Sequence, residues 1–246
     1  MSDNLTKLIA TLRSVAQDGK LAIAYSGGVD STILKEVAIL AGLDVLLLTF
    51  DLDRALELPE VRRNDKRRCY YCKSLMMRSL KEEASSQGFD VLCDGTNADD
   101  LNEYRPGLLA LEENGVISPI ARSGLSKDEL RSIGRELSLK AADKPSSPCL
   151  LTRFPYDTPV SAEMLDAVGK AEELVRANGT DNCRVRIFGN LARVELPKEL
   201  LDKFDFSPNL REKLLLILSP IGVNNIEIDP KGLRSGTMDE QGEKNG

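Results

Sequence analysis

Apolar runs separated by amphipathic segments characterise the first part of the chain. Short apolar runs at 21–24, 45–50 and 90–93 predict buried strands of a parallel sheet. Apolar residues spaced three or four positions apart predict helices at 5–17, 32–42 and 74–87, and from Ser126 onward with a capping box. Because strands and helices alternate, the pattern predicts an α/β fold with a doubly wound parallel sheet.

A proline- and serine-rich stretch at 143–148 interrupts this alternation and predicts a domain boundary. Beyond it, the pattern predicts a helix at 161–178, a hairpin around Gly189-Asn190, a helix at 210–218 and a strand at 226–228. We therefore expect an α/β domain at 1–148 and a smaller C-terminal α+β domain at 149–234. The polar, glycine-rich tail at 235–246 is expected to be disordered.

The predicted hairpin carries its charges on one face. Alternation with period two places Arg184, Arg186, Arg193 and Glu195 opposite an apolar face. The pattern alone leaves two interpretations open. The charges form either a solvated outer face or a cluster of guanidinium groups that binds an anionic ligand.

Composition and charge narrow the classes of function. The chain has 246 residues, a formal net charge of -6 and no histidine, so a metal site must use cysteine, carboxylate or backbone ligands. The negative charge argues against a broadly basic nucleic-acid surface, and anionic ligands therefore need local pockets. No apolar run approaches the ~20 residues of a membrane-spanning helix. The first residues show no export signal, which predicts a cytoplasmic protein without a membrane partner.

The stretch Ser26-Gly27-Gly28-Val29-Asp30-Ser31 joins the first predicted strand to the following helix. Its adjacent glycines allow positive φ and gather backbone N–H groups in one concavity, and valine at Gly28 is expected to prevent this. The helix N-terminus adds partial positive charge that suits a pyrophosphate. The stretch lacks the lysine of the GxxxxGK[ST] loop. It resembles the SGGxDS loop of ATP pyrophosphatases, which cleave ATP to AMP and pyrophosphate; the alternative is an ordinary glycine-rich turn.

Three of the five cysteines are candidates for metal ligation. Cys69 and Cys72 form a CxxC motif, and Cys149 follows the proline- and serine-rich stretch. Four cations flank the motif and favour thiolates, namely Lys66, Arg67, Arg68 and Lys73. Cys93 lies in an apolar strand and is expected in the core, whereas Cys183 begins a hairpin strand and fits either role.

The chemistry of these thiols leaves three interpretations open. Three thiolates suit a [4Fe-4S] cluster that keeps one iron open for an exogenous ligand. A structural zinc site needs four ligands, so Cys183 or a carboxylate would have to complete it. A redox pair is disfavoured, because the CxxC motif is not predicted to begin a helix of a thioredoxin-like unit.

The chain resembles the LarE sulfur transferases of the ATP-pyrophosphatase superfamily. The matching blocks span about the first two hundred residues and are SGGVDS (26–31), RCYYCK (68–73), DGTNADD (94–100), YRPG (104–107), DKPSS (143–147), Cys149, RVR (184–186) and ARVE (192–195). The resemblance implies adenylation of a carboxylate of pyridinium-3,5-biscarboxylic acid mononucleotide, followed by replacement of oxygen with sulfur, in nickel-pincer nucleotide biosynthesis. Members with three cysteines deliver hydrosulfide from a [4Fe-4S] cluster, whereas others sacrifice the cysteine at the position of Cys149. The three-cysteine pattern resembles the cluster type.

The resemblance also implies where ATP binds. The expected contacts are Ala24, Ser26, Gly27, Gly28, Asp30, Ser31, Thr49, Gly95, Asn97, Arg105 and Lys127, with Mg²⁺ offsetting the phosphate charge. Asp30 would orient the loop or a metal-bound water. Lys127 and Arg105 would stabilise the leaving pyrophosphate.

A second group of residues is implied in substrate binding and sulfur delivery. The phosphate and carboxylate of the substrate are expected to contact Arg153, Arg184, Arg186 and Arg193. Glu195 and Asp202 would orient those arginines or bind a cation. Cys69, Cys72 and Cys149 would hold the cluster, and Cys149 joins Asp30 and Lys127 as a catalytic candidate.

Two other classes of function stay open. A tRNA-thiolating enzyme would use the same loop and a similar cluster, but the acidic charge and the lack of a recognisable RNA-binding module count against it. A non-catalytic metal-binding or scaffolding protein would keep the fold, but the intact loop counts against that. The expected partners are a small-molecule nucleotide and a sulfide donor, and the resemblance implies a homo-oligomer.

Overall fold

Internal contacts divide the computed structural model into two compact units. Unit 1 comprises Met1–Leu58 and Arg67–Ser147, and unit 2 comprises Pro59–Lys66 and Pro148–Gly246. The structure describes residues 1–102, 106–145 and 148–234. Three predictions fall outside these ranges, namely the ATP contact at Arg105, the serines at 146–147 and the disordered tail at 235–246.

Helices and short strands alternate along the chain. The α-helices of the described ranges are α1 (Asp3–Val15), α2 (Val29–Leu40), α3 (Pro59–Arg62), α4 (Arg68–Ser86), α5 (Pro106–Glu113), α6 (Pro119–Arg122), α7 (Lys127–Glu136), α8 (Ala162–Ala177) and α9 (Pro208–Leu218). The strands are β1 (Lys20–Ala24), β2 (Asp44–Leu48), β3 (Leu92–Cys93), β4 (Arg184–Phe188), β5 (Leu191–Glu195) and β6 (Asn225–Ile228). In these ranges, no helix combines the length and the apolar character needed to cross a membrane.

The described part of unit 1 contains a three-stranded parallel sheet in the order β2-β1-β3. Successive residues of β1 point to opposite faces of this sheet. Leu21 and Ile23 pack with apolar residues of α1, α2 and α7 on one face. Ala22 packs with apolar residues of α4 and α5 on the other. Helices therefore cover both faces, and the predictions of an α/β class and of a parallel sheet are confirmed.

Helices α1 and α4 begin earlier than the sequence pattern predicts. Helix α1 begins at Asp3, because the Ser2 side chain accepts a hydrogen bond from the Leu5 N–H and caps the helix. Helix α4 begins at Arg68 and contains the CxxC motif, so the prediction that this helix begins at 74 was wrong. The sequence gives only a weak signal here, because cysteine and tyrosine are weak helix formers. A tertiary contact stabilises the first turns of α4 instead: the Tyr70 hydroxyl donates to a carboxylate of α5 at 2.7 Å. The capping box predicted at Ser126 is confirmed.

Gly134 on α7 lies where the core leaves no room for a side chain. A Cβ at this position would lie 2.9 Å from both the Ala142 Cβ and the Ile33 Cδ1. Overpacking a core costs about 1–3 kcal/mol, whereas alanine in place of glycine gains up to ~1 kcal/mol in a helix. We therefore expect Gly134→Ala to lower the free energy of unfolding by about 1–2 kcal/mol in urea denaturation.

Gly169→Ala on α8 is the matched control. Within the described ranges, a Cβ at Gly169 would contact only the Leu150 Cδ1, at an ordinary distance of 3.5 Å. This variant should leave the stability unchanged or raise it by up to ~1 kcal/mol. Equal stability of the two variants would contradict the close packing at Gly134.

The described part of unit 2 is an α+β arrangement around a sheet in the order β4-β5-β6. Strands β4 and β5 form the predicted antiparallel hairpin, with Arg184 opposite Glu195 and Arg186 opposite Arg193. Strand β6 runs parallel to β5. Helix α8 contacts β4 and α9 and buries an apolar stripe that includes Val168.

The segment Pro59–Lys66 belongs to unit 2, and Arg62 and Asn64 form hydrogen bonds with residues 154–160 of this unit. Asn64 is buried and has a positive φ of 58°, a conformation that asparagine tolerates better than most residues. Its Nδ2 donates to the carbonyl oxygens of Phe154 at 3.1 Å and Pro155 at 2.8 Å. The chain between β2 and the CxxC motif is thus divided: residues up to Leu58 belong to unit 1, and Pro59–Lys66 belong to unit 2. The sequence pattern did not indicate this division.

Candidate active site

The glycine loop lies between β1 and α2 in unit 1. Gly27 has a φ of 71°, whereas Gly28 has a φ of -73° and immediately precedes α2. The expectation of a positive φ at Gly28 was therefore wrong, since only Gly27 needs the left-handed conformation. The Ser26 Oγ lies 3.1 Å from the Ser31 Oγ and accepts from the Gly28 N–H at 3.3 Å. These small side chains hold the loop in shape and leave its backbone accessible.

Asp30 and Lys127 meet beside this loop although they are 97 positions apart. The Lys127 Nζ donates to the Asp30 Oδ2 at 3.1 Å. The Lys127 backbone N–H donates to the Asp99 Oδ2 at 2.8 Å, which fixes the start of α7. The other carboxylate oxygen, Asp30 Oδ1, is buried and has no hydrogen-bond partner among the described residues. A buried oxygen of this kind needs a water or a cation as its partner.

Further predicted ATP contacts lie at the same carboxyl edge of the sheet. Ala24 ends β1, and Thr49 follows β2 directly. A Cβ at Gly95, which follows β3, would lie 3.1 Å from the Ser31 backbone nitrogen and 3.2 Å from the Asp30 Cβ. This close approach requires glycine at position 95 and places the segment after β3 against the start of α2.

The segment after β3 is held by its own hydrogen bonds. Asp94 is buried and accepts from the Thr96 Oγ1 at 2.5 Å and from the Ser118 Oγ at 2.6 Å. Asn97 is also buried, and its Oδ1 accepts from the Asp99 backbone N–H at 3.0 Å. Asn97 therefore shapes the turn with its side chain, and its contact with the base or ribose of ATP stays a prediction.

The cysteines of the CxxC motif lie in the first turns of α4. Cys69 is exposed and Cys72 is half-buried. Lys73 follows them, and its Nζ lies 3.9 Å from the Asp94 Oδ2. Cys149 is exposed and belongs to unit 2. Across the ranges that the structure describes, no three Cys, Asp or Glu side chains are grouped so as to hold a metal ion.

Cys93 and Cys183 differ from these three thiols in their environment. Both are buried, which confirms the expectation for Cys93 and assigns Cys183 to the core as well. Burial raises the pKa of Cys93 far above its ordinary value. Burial and the neighbouring Glu172 carboxylate raise the pKa of Cys183 to about 12. Because the thiolate is the metal-binding form, these neutral thiols are poor ligands.

Two of the four charged residues on this face of the hairpin are buried. Arg186 is 3% exposed and Glu195 0%, and the Arg186 Nε lies 2.8 Å from the Glu195 Oε1. Arg193 instead pairs with the Oε1 of Glu227 on β6 at 2.6 Å. The interpretation of a solvated face is therefore wrong for Arg186 and Glu195.

Arg184, on the same face of the hairpin, has one N–H group that finds no hydrogen-bond partner among the described residues. Its Nη1 donates to the Arg234 carbonyl at 2.8 Å, whereas its Nε is buried without a hydrogen-bond partner in the described part of the chain. Burial lowers the pKa of the Arg184 guanidinium, and the positive charges of Arg186 and Arg153 lower it further. A partly desolvated guanidinium next to other cations is stabilised by an anion.

The other substrate candidates have different surroundings. Arg153 is 1% exposed, and its Nε and Nη2 donate to the two carboxylate oxygens of Glu172 at 2.6 and 3.3 Å. Asp202 lies exposed in the turn after a short 3-10 helix. Sequence reasoning missed Glu172, although a signal was present. Glu172 is a charged residue on the apolar stripe of α8, four positions after Val168 and three before Val175, and a charged residue at such a position indicates a buried partner.

Known proteins resemble the chain along most of its length. The uncharacterized protein slr1717 of Synechocystis sp. is 36% identical over 243 residues, which cover 88% of this chain and 90% of the relative. The uncharacterized protein MJ0830 of Methanocaldococcus jannaschii is 33% identical over 216 residues, with coverage of 80% and 85%. The chain belongs to the family of these two proteins. No protein-family model matches it.

A third relative has a name that states an activity. The pyridinium-3,5-bisthiocarboxylic acid mononucleotide synthase of Lactiplantibacillus plantarum is 28% identical to this chain over 262 residues. The match covers 95% of the chain and 92% of the synthase, and therefore includes both units. This similarity supports the membership of the LarE family that the sequence motifs indicate.

Proposed function

We propose that this protein is an ATP-dependent sulfur transferase that converts a carboxylate of pyridinium-3,5-biscarboxylic acid mononucleotide into a thiocarboxylate for nickel-pincer nucleotide biosynthesis. The observation that carries this proposal is the 28% identity to the L. plantarum synthase across 95% of the chain. Two features of the glycine loop support the use of ATP. Gly27 has the left-handed conformation, and the buried Asp30 Oδ1 has no hydrogen-bond partner among the described residues. We also propose a doubly wound ATP-pyrophosphatase fold for unit 1, supported by helices on both faces of its parallel sheet.

In the proposed first step, the substrate carboxylate attacks the α-phosphorus of ATP. An O–P bond forms, the bond to pyrophosphate breaks, and an acyl-adenylate results. Backbone N–H groups from Gly27 to Ser31 would bind the phosphates, and the Lys127 ammonium would stabilise the charge on the leaving pyrophosphate. The Asp30 Oδ1 is suited to accept from a water of the accompanying Mg²⁺.

In the proposed second step, sulfur displaces AMP from the activated carbonyl carbon. Cys69, Cys72 and Cys149 fit a [4Fe-4S] cluster by their donor chemistry, since two are exposed and one is half-buried while the other cysteines are buried. When bound, such a cluster would present a hydrosulfide that comes from the sulfide donor. The three thiolates would hold it in place.

The proposal is tested by incubating the anaerobically purified protein with ATP, sulfide and pyridinium-3,5-biscarboxylic acid mononucleotide. We expect AMP, pyrophosphate and an acceptor in which sulfur has replaced oxygen, identified by mass spectrometry. Release of pyrophosphate without any sulfur-containing acceptor would contradict the proposed transfer.

Arg184→Lys is expected to weaken binding of the acceptor and to spare ATP. The guanidinium presents a rigid fork that matches phosphate or carboxylate, which the lysine ammonium cannot reproduce. We expect the KM for the acceptor to rise by about tenfold, the effect of losing ~1.4 kcal/mol of binding, with the KM for ATP unchanged. Arg211→Lys, at an exposed position of α9, is the control and should change neither value. An equal loss of ATP affinity in Arg184→Lys would show that the assignment is wrong.

A further inference from the structure

A continuous series of hydrogen bonds connects Glu172 on α8 to the carbonyl group of Cys149. Glu172 and Arg153 are 3% and 1% exposed and form a two-point ion pair, with donor–acceptor distances of 2.6 and 3.3 Å. The Arg153 Nη1 donates to the Thr152 Oγ1 at 2.7 Å. The Thr152 Oγ1 in turn donates to the Cys149 carbonyl oxygen at 2.7 Å. All four residues belong to unit 2.

The chemistry of the donors sets the direction of this series. A guanidinium only donates hydrogen bonds, so the Thr152 hydroxyl accepts from Arg153 and its own hydrogen is directed to the Cys149 carbonyl. The Thr152 backbone N–H also donates to this carbonyl, at 3.0 Å, at the start of the 3-10 helix Leu150–Arg153. One residue therefore holds the Cys149 carbonyl with two donors, which fixes the backbone that carries the exposed thiol.

The other end of the series is anchored in the interior of unit 2. The Val185 backbone N–H on β4 donates to the Glu172 Oε1 at 3.0 Å. The Arg186 Nη1, on the same strand, donates to the Thr152 carbonyl at 2.8 Å. The first of these hydrogen bonds is buried and the second is part-buried. Both involve a charged group, and charge-assisted hydrogen bonds are stronger than neutral ones. The turn at Cys149 is thus held by β4 and α8.

We propose that Glu172, Arg153 and Thr152 are positioning residues for Cys149. The inference rests on the proposed function of Cys149 in sulfur delivery, and it assigns these residues to the geometry of the thiol instead of to substrate contact. In this proposal Arg153 supports Cys149, whereas the sequence prediction placed it in contact with the substrate. Supporting residues around a metal ligand typically contribute ~10–100-fold to activity or affinity, so their loss should lower kcat.

Thr152→Val tests this series, because valine keeps the shape of threonine and removes the hydroxyl. We expect the iodoacetamide alkylation rate of Cys149 to rise in full-length protein treated with a chelator, because the Thr152 hydroxyl no longer holds the turn that carries the thiol. Peptide mass spectrometry should show an unchanged rate at Cys69, the exposed thiol of unit 1, as an internal reference. In the sulfur-transfer assay, kcat should fall by ~10–100-fold while the KM for ATP stays constant.

Two control variants separate positioning from general destabilisation. Thr152→Ser keeps the hydroxyl and should restore both the alkylation rate and kcat. Arg176→Ala removes the other guanidinium near Glu172, at 3.6 Å from the Oε2, but this residue is not part of the series to Cys149. It should therefore leave the alkylation rate of Cys149 unchanged.

A Cys149 alkylation rate in Thr152→Val equal to that of the parent protein would overturn the inference. If circular dichroism shows that Thr152→Val does not fold, Glu172→Gln takes its place, because it keeps the shape of the side chain and removes the charge that orients Arg153. A selective change at Cys149 in a protein that transfers no sulfur, in parent and variant alike, would support the positioning inference and reject the proposed function.

Discussion

Gly27→Val is expected to abolish ATP-dependent pyrophosphate release. Gly27 has a φ of 71°, and a Cβ there would have no neighbour within 4 Å among the residues that the structure describes. The isopropyl group would therefore enter the space that the proposed phosphate contacts require. The left-handed conformation also costs a branched residue roughly 1–2 kcal/mol. Because the loss of one hydrogen-bond donor to a developing negative charge typically costs 10²–10³-fold in rate, we expect a loss of at least ~100-fold in a coupled pyrophosphate assay.

Gly19→Val separates the phosphate site from backbone strain. Gly19 also lies in unit 1, has a φ of 78° and would place its Cβ in open space, but it belongs to the turn between α1 and β1. This variant should lose similar stability and keep most of its pyrophosphate release. Equal loss of activity in both variants would remove the loop from the mechanism.

Iron content gives the second large expected effect. Protein purified without oxygen should be brown and contain about four irons per chain. Cys69→Ala, Cys72→Ala and Cys149→Ala should each remove most of the iron, because a cluster bound by three thiolates loses one of its three protein ligands. Iron and sulfide analysis, together with the visible absorption spectrum, measures this loss.

The two buried cysteines supply the controls for this experiment. Cys93→Ala and Cys183→Ala should keep the iron, because burial holds the pKa values of both thiols above their ordinary value. Zinc in place of iron would favour a structural clip instead of a cluster. A colourless protein that loses one sulfur and two hydrogens at Cys149 after turnover would establish sacrifice of this residue and refute the cluster proposal.

The sequence alone determined the elements whose signals are local. Period-two alternation placed the hairpin of β4 and β5, and the Ser126 capping box marked the start of α7. The apolar run before Tyr25 marked β1 and the loop that follows it. Each of these features depends on residues within a few positions of one another, so the pattern of the chain is sufficient to indicate them.

Only the tertiary structure decided which charges are paired and which are buried. Alternation places Arg186 on a polar face, but that side chain is buried because Thr152 and Arg234 contact it from distant parts of the chain. The pairing of Arg153 with Glu172 likewise joins positions 19 apart. Burial and pairing depend on which segments meet in space, and the periodicity of a single segment contains no information about its neighbours.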